Sequence, residues 1–268
     1  MPVFGYIACL LIGVSLGSIG AGGGILTVPV MVYLFHVPVV LATSYSLFIV
    51  GLTSLLGAVS NYRQSNTNVR VAGLFCLVSA GIVLVIRSWM LPMIPSRLFF
   101  IRNVPVTWSL ASMLLFAVLL FLSAAAMICQ REEPSPDGED RNILHLIGSG
   151  IVVGGVTGLL GAGGGFILIP SLVLLLKFPV KEAIGTSLLI IAINSLLGFG
   201  MDLRHMPVDW HFLGWVTVVA VAGIFLGITV ASRVPGSRLK IIFGWFMVGI
   251  GVIVLTKELV GFFSIFGS

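Results

Sequence analysis

Two glycine runs carry the chemistry this sequence offers. Gly20-Ala21-Gly22-Gly23-Gly24 is followed by Pro29, Gly161-Ala162-Gly163-Gly164-Gly165 is followed by Pro170, and the copies lie a constant 141 residues apart. Both runs sit inside long apolar stretches, where glycine has no Cβ to hold a helix and leaves bare peptide groups at membrane depth. A helix that starts at such a break presents first-turn N–H groups without intrahelical partners, at the positive end of its dipole. That is an anion site made of backbone. Gly22, Gly23, Gly24, Gly163, Gly164 and Gly165 are therefore the first candidate ligands. Two such cradles facing each other would hold one small oxyanion without a buried arginine. Close helix crossing, which small residues also permit in membranes, accounts less well for four glycines in five positions, twice. A soluble dinucleotide-binding loop does not fit, because the G-x-G-x-x-G spacing fails and no parallel-sheet pattern surrounds it.

The long apolar segment after each break carries hydroxyl and amide groups. Thr186, Ser187, Asn194 and Ser195 occupy the second half, with Ser187 and Asn194 on one helix face; Thr43, Ser44, Ser46, Thr53 and Ser54 occupy the first. Ser46 and Ser187 are identical at equivalent positions. Such groups would complete a shell around an oxyanion; the competing reading is a bond back to a carbonyl four residues earlier or to a neighbouring helix. Arg63 and Arg204 stand just past the ends of these segments. They would draw anions to the mouths of a pathway, or else snorkel to lipid headgroups and cap a helix dipole. His36, Lys177, His205 and His211 fall at segment ends, and no segment core is expected to carry Asp or Glu, so neither a buried proton relay nor a carboxylate-coupled pump is indicated. No nucleophile–base pair or metal-ligand spacing occurs in the spans, which points away from an enzyme, a metal site or a cofactor.

What must position these residues follows from composition. The chain has 268 residues, 58% hydrophobic and 9% charged, with mean hydropathy +1.19. Soluble domains average about 25% charged, so there is too little polar surface to coat a globule. The apolar segments run to roughly 20 residues without period-2 alternation, which makes the chain a polytopic α-helical membrane protein. The net charge of +5 is spread over short loops, which suits orientation in a membrane and argues against nucleic acid. Cys9, Cys76 and Cys129 are isolated and read as packing residues. The amino-terminal apolar run continues into the first glycine break, so it reads as a first span and no cleaved signal peptide.

Apolar segments are expected at about Val3–Ile19, Ile25–Phe35, Val39–Ser60, Val71–Ile86 and Trp108–Ile128, and again at Ile143–Leu160, Phe166–Leu176, Val180–Met201, Trp210–Ala231 and Leu239–Leu255. The eleven residues from Ile25 to Phe35 reach only about 17 Å, roughly half the hydrocarbon thickness. Arg87 to Pro105, with Trp89, Pro92, Pro95, Arg97 and Arg102, has the composition of the membrane interface. The 141-residue offset holds well beyond the glycines, pairing Pro38 with Pro179, Ser54 with Ser195, Arg63 with Arg204 and Ser96-Arg97-Leu98 with Ser237-Arg238-Leu239. The expected fold is thus all-α, with two repeats of about five hydrophobic segments each and glycine-rich broken helices. Residues 1–129 form the first repeat, 130–142 a polar linker and 143–268 the second repeat. An odd number of crossings per half requires inverted topology, the layout of many secondary transporters. Arg63, Arg70, Arg131, Arg141, Lys177, Lys181, Arg233, Arg238 and Lys240 collect on one side; Arg87, Arg97, Arg102, Arg204 and Lys257 collect on the other. Nine against five places the linker in the cytoplasm.

At the two Gly-x-Gly-Gly-Gly runs, with a proline five residues beyond each, and at the matching elements Ala42 to Leu47 and Ala183 to Leu188, the chain resembles the sulfite exporter TauE/SafE family of small membrane permeases, also called TSUP. The resemblance covers nearly the whole chain. It implies transport of sulfite, sulfoacetate or related sulfur-containing anions across the bacterial cytoplasmic membrane. Two departures stand out: a proline-rich stretch before the last span of the first half, and Ser44-Tyr45 where the second half has Gly185-Thr186, which makes the two half-sites chemically unequal.

The function expected is therefore a secondary transporter, an exporter of a small sulfur-containing anion such as sulfite or an organosulfonate, working by alternating access in the lipid bilayer. Protons as coupling ion and a homo-oligomer are compatible with it. The rivals are a passive anion channel of the same architecture and a membrane scaffold that transports nothing; the polar linker is short for the latter.

Overall fold

The computed structural model describes residues 2–19, 22–64, 66–95, 97–101, 104–129, 143–161, 163–203 and 206–266. The helix α1 (Pro2–Ile19) is followed by a short α2 (Gly22–Pro29), a π-helical turn (Val30–Leu34) and the long α3 (Val39–Arg63). After α4 (Val69–Val85) come a second π turn (Ile86–Met90), the single turn α5 (Leu91–Met93), a hairpin of β1 (Arg97–Ile101) and β2 (Val104–Thr107), and α6 (Trp108–Cys129). The second half has α7 (Ile143–Leu160), α8 (Gly165–Pro170) with its π turn (Ser171–Leu175), α9 (Val180–Asp202), α10 (Trp210–Ser232) and α11 (Gly236–Phe266). Among the described residues six helices are long and apolar enough to cross a bilayer, and three shorter apolar helices accompany them. This is a polytopic α-helical membrane protein. The linker 130–142 lies outside the described residues.

One departure from an all-α chain is the hairpin, which pairs Arg97 with Thr107 and Ile101 with Val104 in the stretch read as interfacial. A two-stranded ribbon is all edge, so Pro105 in β2 breaks no central ladder. A second departure is α11, which runs beyond Leu255 to Phe266. It carries Glu258, whose Oε1 accepts a 2.6 Å hydrogen bond from the Tyr33 hydroxyl. Glu258 stands three residues beyond the expected end of the last segment, near the end of the span Ile241–Val260 and outside the segment cores expected to lack Asp and Glu.

The two short helices end alike. Proline cannot donate to the carbonyl four residues back and its ring crowds that carbonyl, and a wider turn absorbs the fault. After Pro29, Phe35 N–H reaches Val30 O at 3.2 Å; after Pro170, Leu176 N–H reaches Ser171 O at 3.3 Å. His36 (φ 55) and Lys177 (φ 53) then turn the chain through the left-handed region, and Pro38 and Pro179 begin the long helices.

Close approaches fix helix directions. Gly13 abuts Ala220 and Gly223, and Gly17 abuts Ile224 and Gly227, so α1 and α10 run parallel. Gly150 faces Val78 and Gly158 faces Ile86, so α7 and α4 also run parallel. Gly51 meets Leu196 and Gly57 meets Leu188, which makes α3 and α9 antiparallel; Gly244 on Ile128 and Gly251 on Phe121 do the same for α11 and α6. Each parallel pair takes one helix from either half. A Cβ at Gly13 would fall on the Ala220 carbonyl and stand 2.9 Å from Gly223 Cα. Gly13→Ala is expected to cost about 1–3 kcal/mol, as overpacking does. Gly81→Ala, where nothing lies within 4 Å, should be silent; thermal unfolding in detergent compares them.

Outward faces remain apolar: Leu77 is 78% exposed and Val260 69%. In water so large an exposed apolar surface would drive aggregation, whereas lipid tails solvate it. The interior contains the α3/α9 pair, in which 67% of the apolar stretch is buried against 28–44% in the other spans.

Candidate functional site

The antiparallel α3/α9 pair concentrates buried polar groups. Thr43, Ser44, Ser46, Thr53 and Ser54 on α3 are buried, as are Thr186, Ser187, Asn194, Ser195 and Asp202 on α9. A buried hydroxyl is costly unless it finds a partner, so tracing each one separates structural groups from available ones. Thr43 donates to Val40 O (2.8 Å), Thr53 to Ile49 O (2.5 Å) and Ser187 to Ile184 O (2.8 Å), all within their own helices. Thr186 Oγ1 accepts from Asn68 N–H at 3.0 Å, and Asn194 Nδ2 donates to Ser79 Oγ at 2.8 Å. Ser46, Ser54 and Ser195 remain: their Oγ atoms are buried with no hydrogen-bond partner among the described residues. Ser54 and Ser195 lie 141 residues apart, the spacing of the two glycine runs.

The second glycine run comes to this pair. Gly161 (φ +65), Gly163 (φ +69) and Gly164 (φ +64) all adopt left-handed conformations, which side chains with a Cβ rarely tolerate. A Cβ at Gly163 would stand 2.9 Å from Val50 Cγ1, 3.1 Å from Ile191 Cγ2 and 3.3 Å from Ser195 Oγ. Val50 and Ile191 are themselves equivalent positions, so Gly163 lies against the middle of the crossing. Gly164, the residue preceding α8, packs on the Thr157 hydroxyl of α7, another buried group without a partner among the described residues. Gly165 opens α8 and is buried. In the first half Gly22, Gly23 and Gly24 form the first turn of α2, and α2 and α8 are in contact.

Other candidates are dispersed. Thr186, Ser187 and Asn194 are engaged as described, and Arg63 is exposed at the end of α3. Arg204 lies outside the described residues.

A cavity of about 100 Å³ opens where α1 and α3 finish and α9 and α11 begin, lined by Gly17, Asn61, Gln64, Asn66, Lys181 and Ile228 among others. At about 30 Å³ of liquid volume each, this is room for a few waters or one small anion.

Sequence reasoning missed one cluster. Arg87, read as an interfacial residue, has a fully buried side chain, and its Nη1 pairs with Asp202 Oδ2. Ser44 Oγ donates to the same carboxylate oxygen. The core thus contains an arginine, contrary to the expectation of a site without one, and Asp202 is buried rather than placed in a polar turn. Removing Arg87 from the loop charges changes nine against five to nine against four. The available signal was that the apolar run continues past Arg87 through Trp89, Met90 and Leu91, and the helix does extend to Met90.

A family model described as sulfite exporter TauE/SafE matches residues 6–254. A probable membrane transporter protein of Xylella fastidiosa (strain 9a5c) is 25% identical over 255 residues, 92% of both chains. The probable membrane transporter proteins YdhB and YunE of Bacillus subtilis are 26% identical over 233 residues (86% of this chain, 90% of the relative) and 28% over 221 (75% and 78%). No solved structure matches the chain.

Proposed function

We propose, from the premise that this chain belongs to the sulfite exporter TauE/SafE family of membrane transporters, that it is a secondary transporter which exports a small sulfur-containing anion, such as sulfite or an organosulfonate, across the cytoplasmic membrane. The linker 130–142 lies on the cytoplasmic side, and the anion passes between two inverted repeats by alternating access. Supporting the inversion, the equivalent helices α3 and α9 are antiparallel, as are α6 and α11. Helix breaks buried between inverted repeats are a recurrent place for anionic substrate groups.

The observation that carries the reading is the pairing of unpartnered hydroxyls with the glycine turn at the middle of the α3/α9 crossing. Ser54 and Ser195 have no hydrogen-bond partner among the described residues, and Gly163 brings bare backbone beside Ser195. In this reading Gly22–Gly24, Gly163–Gly165, Ser46, Thr186, Ser187 and Asn194 line the substrate path, and Arg63 and Arg204 draw anions to its mouths.

Entry of labelled sulfite into proteoliposomes preloaded with unlabelled sulfite tests it, because a carrier shows saturable counterflow and a passive channel does not. The double substitution Ser54→Ala and Ser195→Ala should lower counterflow about tenfold, the equivalent of one or two lost hydrogen bonds. It should leave thermal stability unchanged, because neither hydroxyl has a partner to lose among the described residues. Unchanged counterflow in the double variant would remove these serines from the path, and absence of counterflow in the parent protein would remove the transport reading.

A further inference from the structure

We propose that Arg87 is an anion-coordinating residue of the transport path, with Asp202 as the built-in anion that a permeating oxyanion displaces; this rests on the reading of the protein as an anion transporter. The guanidinium is fully buried, yet its hydrogen bonding is one-sided. Nη1 meets Asp202 Oδ2 and lies 3.5 Å from Ser44 Oγ, whereas Nε and Nη2 have no partner among the described residues. A guanidinium presents its donors as a fork that suits two oxygens of one oxyanion, and the Nε–Nη2 edge is such a fork. A purely structural arginine this deep would be expected to have those donors satisfied, since each unmet one costs free energy.

The unpartnered edge faces the second glycine run. A Cβ at Gly161 would stand 2.7 Å from Arg87 Nη2, so the left-handed glycine keeps side-chain bulk away from that edge. Three observations thus converge on one place: a buried cation, two donors without a partner among the described residues, and a left-handed glycine packed directly against one of them.

The repeat adds a fourth. The positions equivalent to Arg87 and Asp202 are Ile228 and Asn61, and these two residues line the cavity at the opposite end of the α3/α9 pair. One end therefore has a cavity with the Lys181 ammonium at its edge, and at the matching place of the other end an ion pair is closed. An anion reaching Arg87 replaces the Asp202 carboxylate, and the freed carboxylate, no longer held by Arg87, lets the ends of α4 and α9 separate. No covalent bond changes. The chemistry selected is a compact oxyanion with at least two oxygens on one centre, and chloride is discriminated against.

The test uses the full-length protein purified in detergent, with sulfite as probe and chloride at equal ionic strength as control. In Asp202→Asn the competing carboxylate is gone, so half-maximal thermal stabilisation should need about tenfold less sulfite than in the parent, because the binding-competent state no longer has to be won from the ion pair. In the double variant Arg87→Gln with Asp202→Asn, sulfite should have no effect. If Asp202→Asn is recovered only when purified with sulfite, that dependence is the same supporting result. Equal responses to sulfite in the single and double variants, or to chloride and sulfite in Asp202→Asn, overturn the proposal, as does a single variant that sulfite cannot rescue. Parent counterflow with equal responses in the two variants would sink the Arg87 role alone. A sulfite response confined to Asp202→Asn without parent counterflow would support the Arg87 site and sink the transport reading.

Discussion

Arg87→Met will destabilise the protein by about 3–5 kcal/mol, and adding Asp202→Leu to the same chain will recover most of that loss. The reason is the depth of the pair: both side chains are almost completely removed from solvent, with the Ser44 hydroxyl as a further partner of the carboxylate. Removing the cation leaves a carboxylate with nowhere to put its charge, whereas removing both leaves an apolar contact between α4, α9 and α3. Thermal unfolding followed by the monodisperse fraction on size-exclusion chromatography reads the difference. A single variant as stable as the parent, or a double variant no better than the single, would mean that the pair is solvated and not a buried one. The same double variant should be inactive in sulfite counterflow, which separates a role in folding from a role in the path.

The second large effect is expected at Gly164. Its φ of +64 lies in the left-handed region, where a Cβ costs roughly 1–2 kcal/mol by itself. That Cβ would also fall on the Thr157 hydroxyl, so α8 must move away from α7 or Thr157 must rotate. Gly164→Val should abolish sulfite counterflow, and Gly164→Ala should reduce it at least about tenfold, since misplacement of about 1 Å is enough for losses of that size. Thr157→Ala should partly rescue Gly164→Ala by opening space, and Gly155→Ala, where a Cβ meets nothing within 4 Å, should behave as the parent. Equal counterflow in Gly164→Val and the parent would show that the turn before α8 has no part in transport.

Much of this fold is legible in the sequence because its strongest signals are local. Glycine breaks a helix and proline limits one wherever they stand, so Gly22–Gly24, Pro29, Gly163–Gly165 and Pro170 reveal the short helices and their recurrence without any knowledge of packing. Arg87 and Asp202 show the opposite case. Each looks costly inside an apolar segment, and each is tolerated because of the other, 115 residues away. Reading the chain in windows assigns both to the water boundary. The hairpin escaped for a different reason: strands of five and four residues, the second containing Pro105, leave too short a pattern to separate from an irregular interfacial segment. Among the hydroxyls, sequence identified the polar face of the long helices but not which members were free. Ser187 bonds back to its own helix and Ser195 does not, a distinction that depends on neighbours such as Gly163.

The parallel pairing of α1 with α10 and of α4 with α7 bears on how the protein is made. When the ribosome has delivered everything up to Cys129, the glycine seam at Gly13 and Gly17 and the groove around Ser79 and Ile82 have no counterpart to lie against, because both counterparts are still to be translated. Those faces of α1 and α4 stay open to lipid until α7 and α10 arrive to cover them. Two separately expressed fragments divided within the linker would accordingly be expected to acquire structure together and remain incomplete apart.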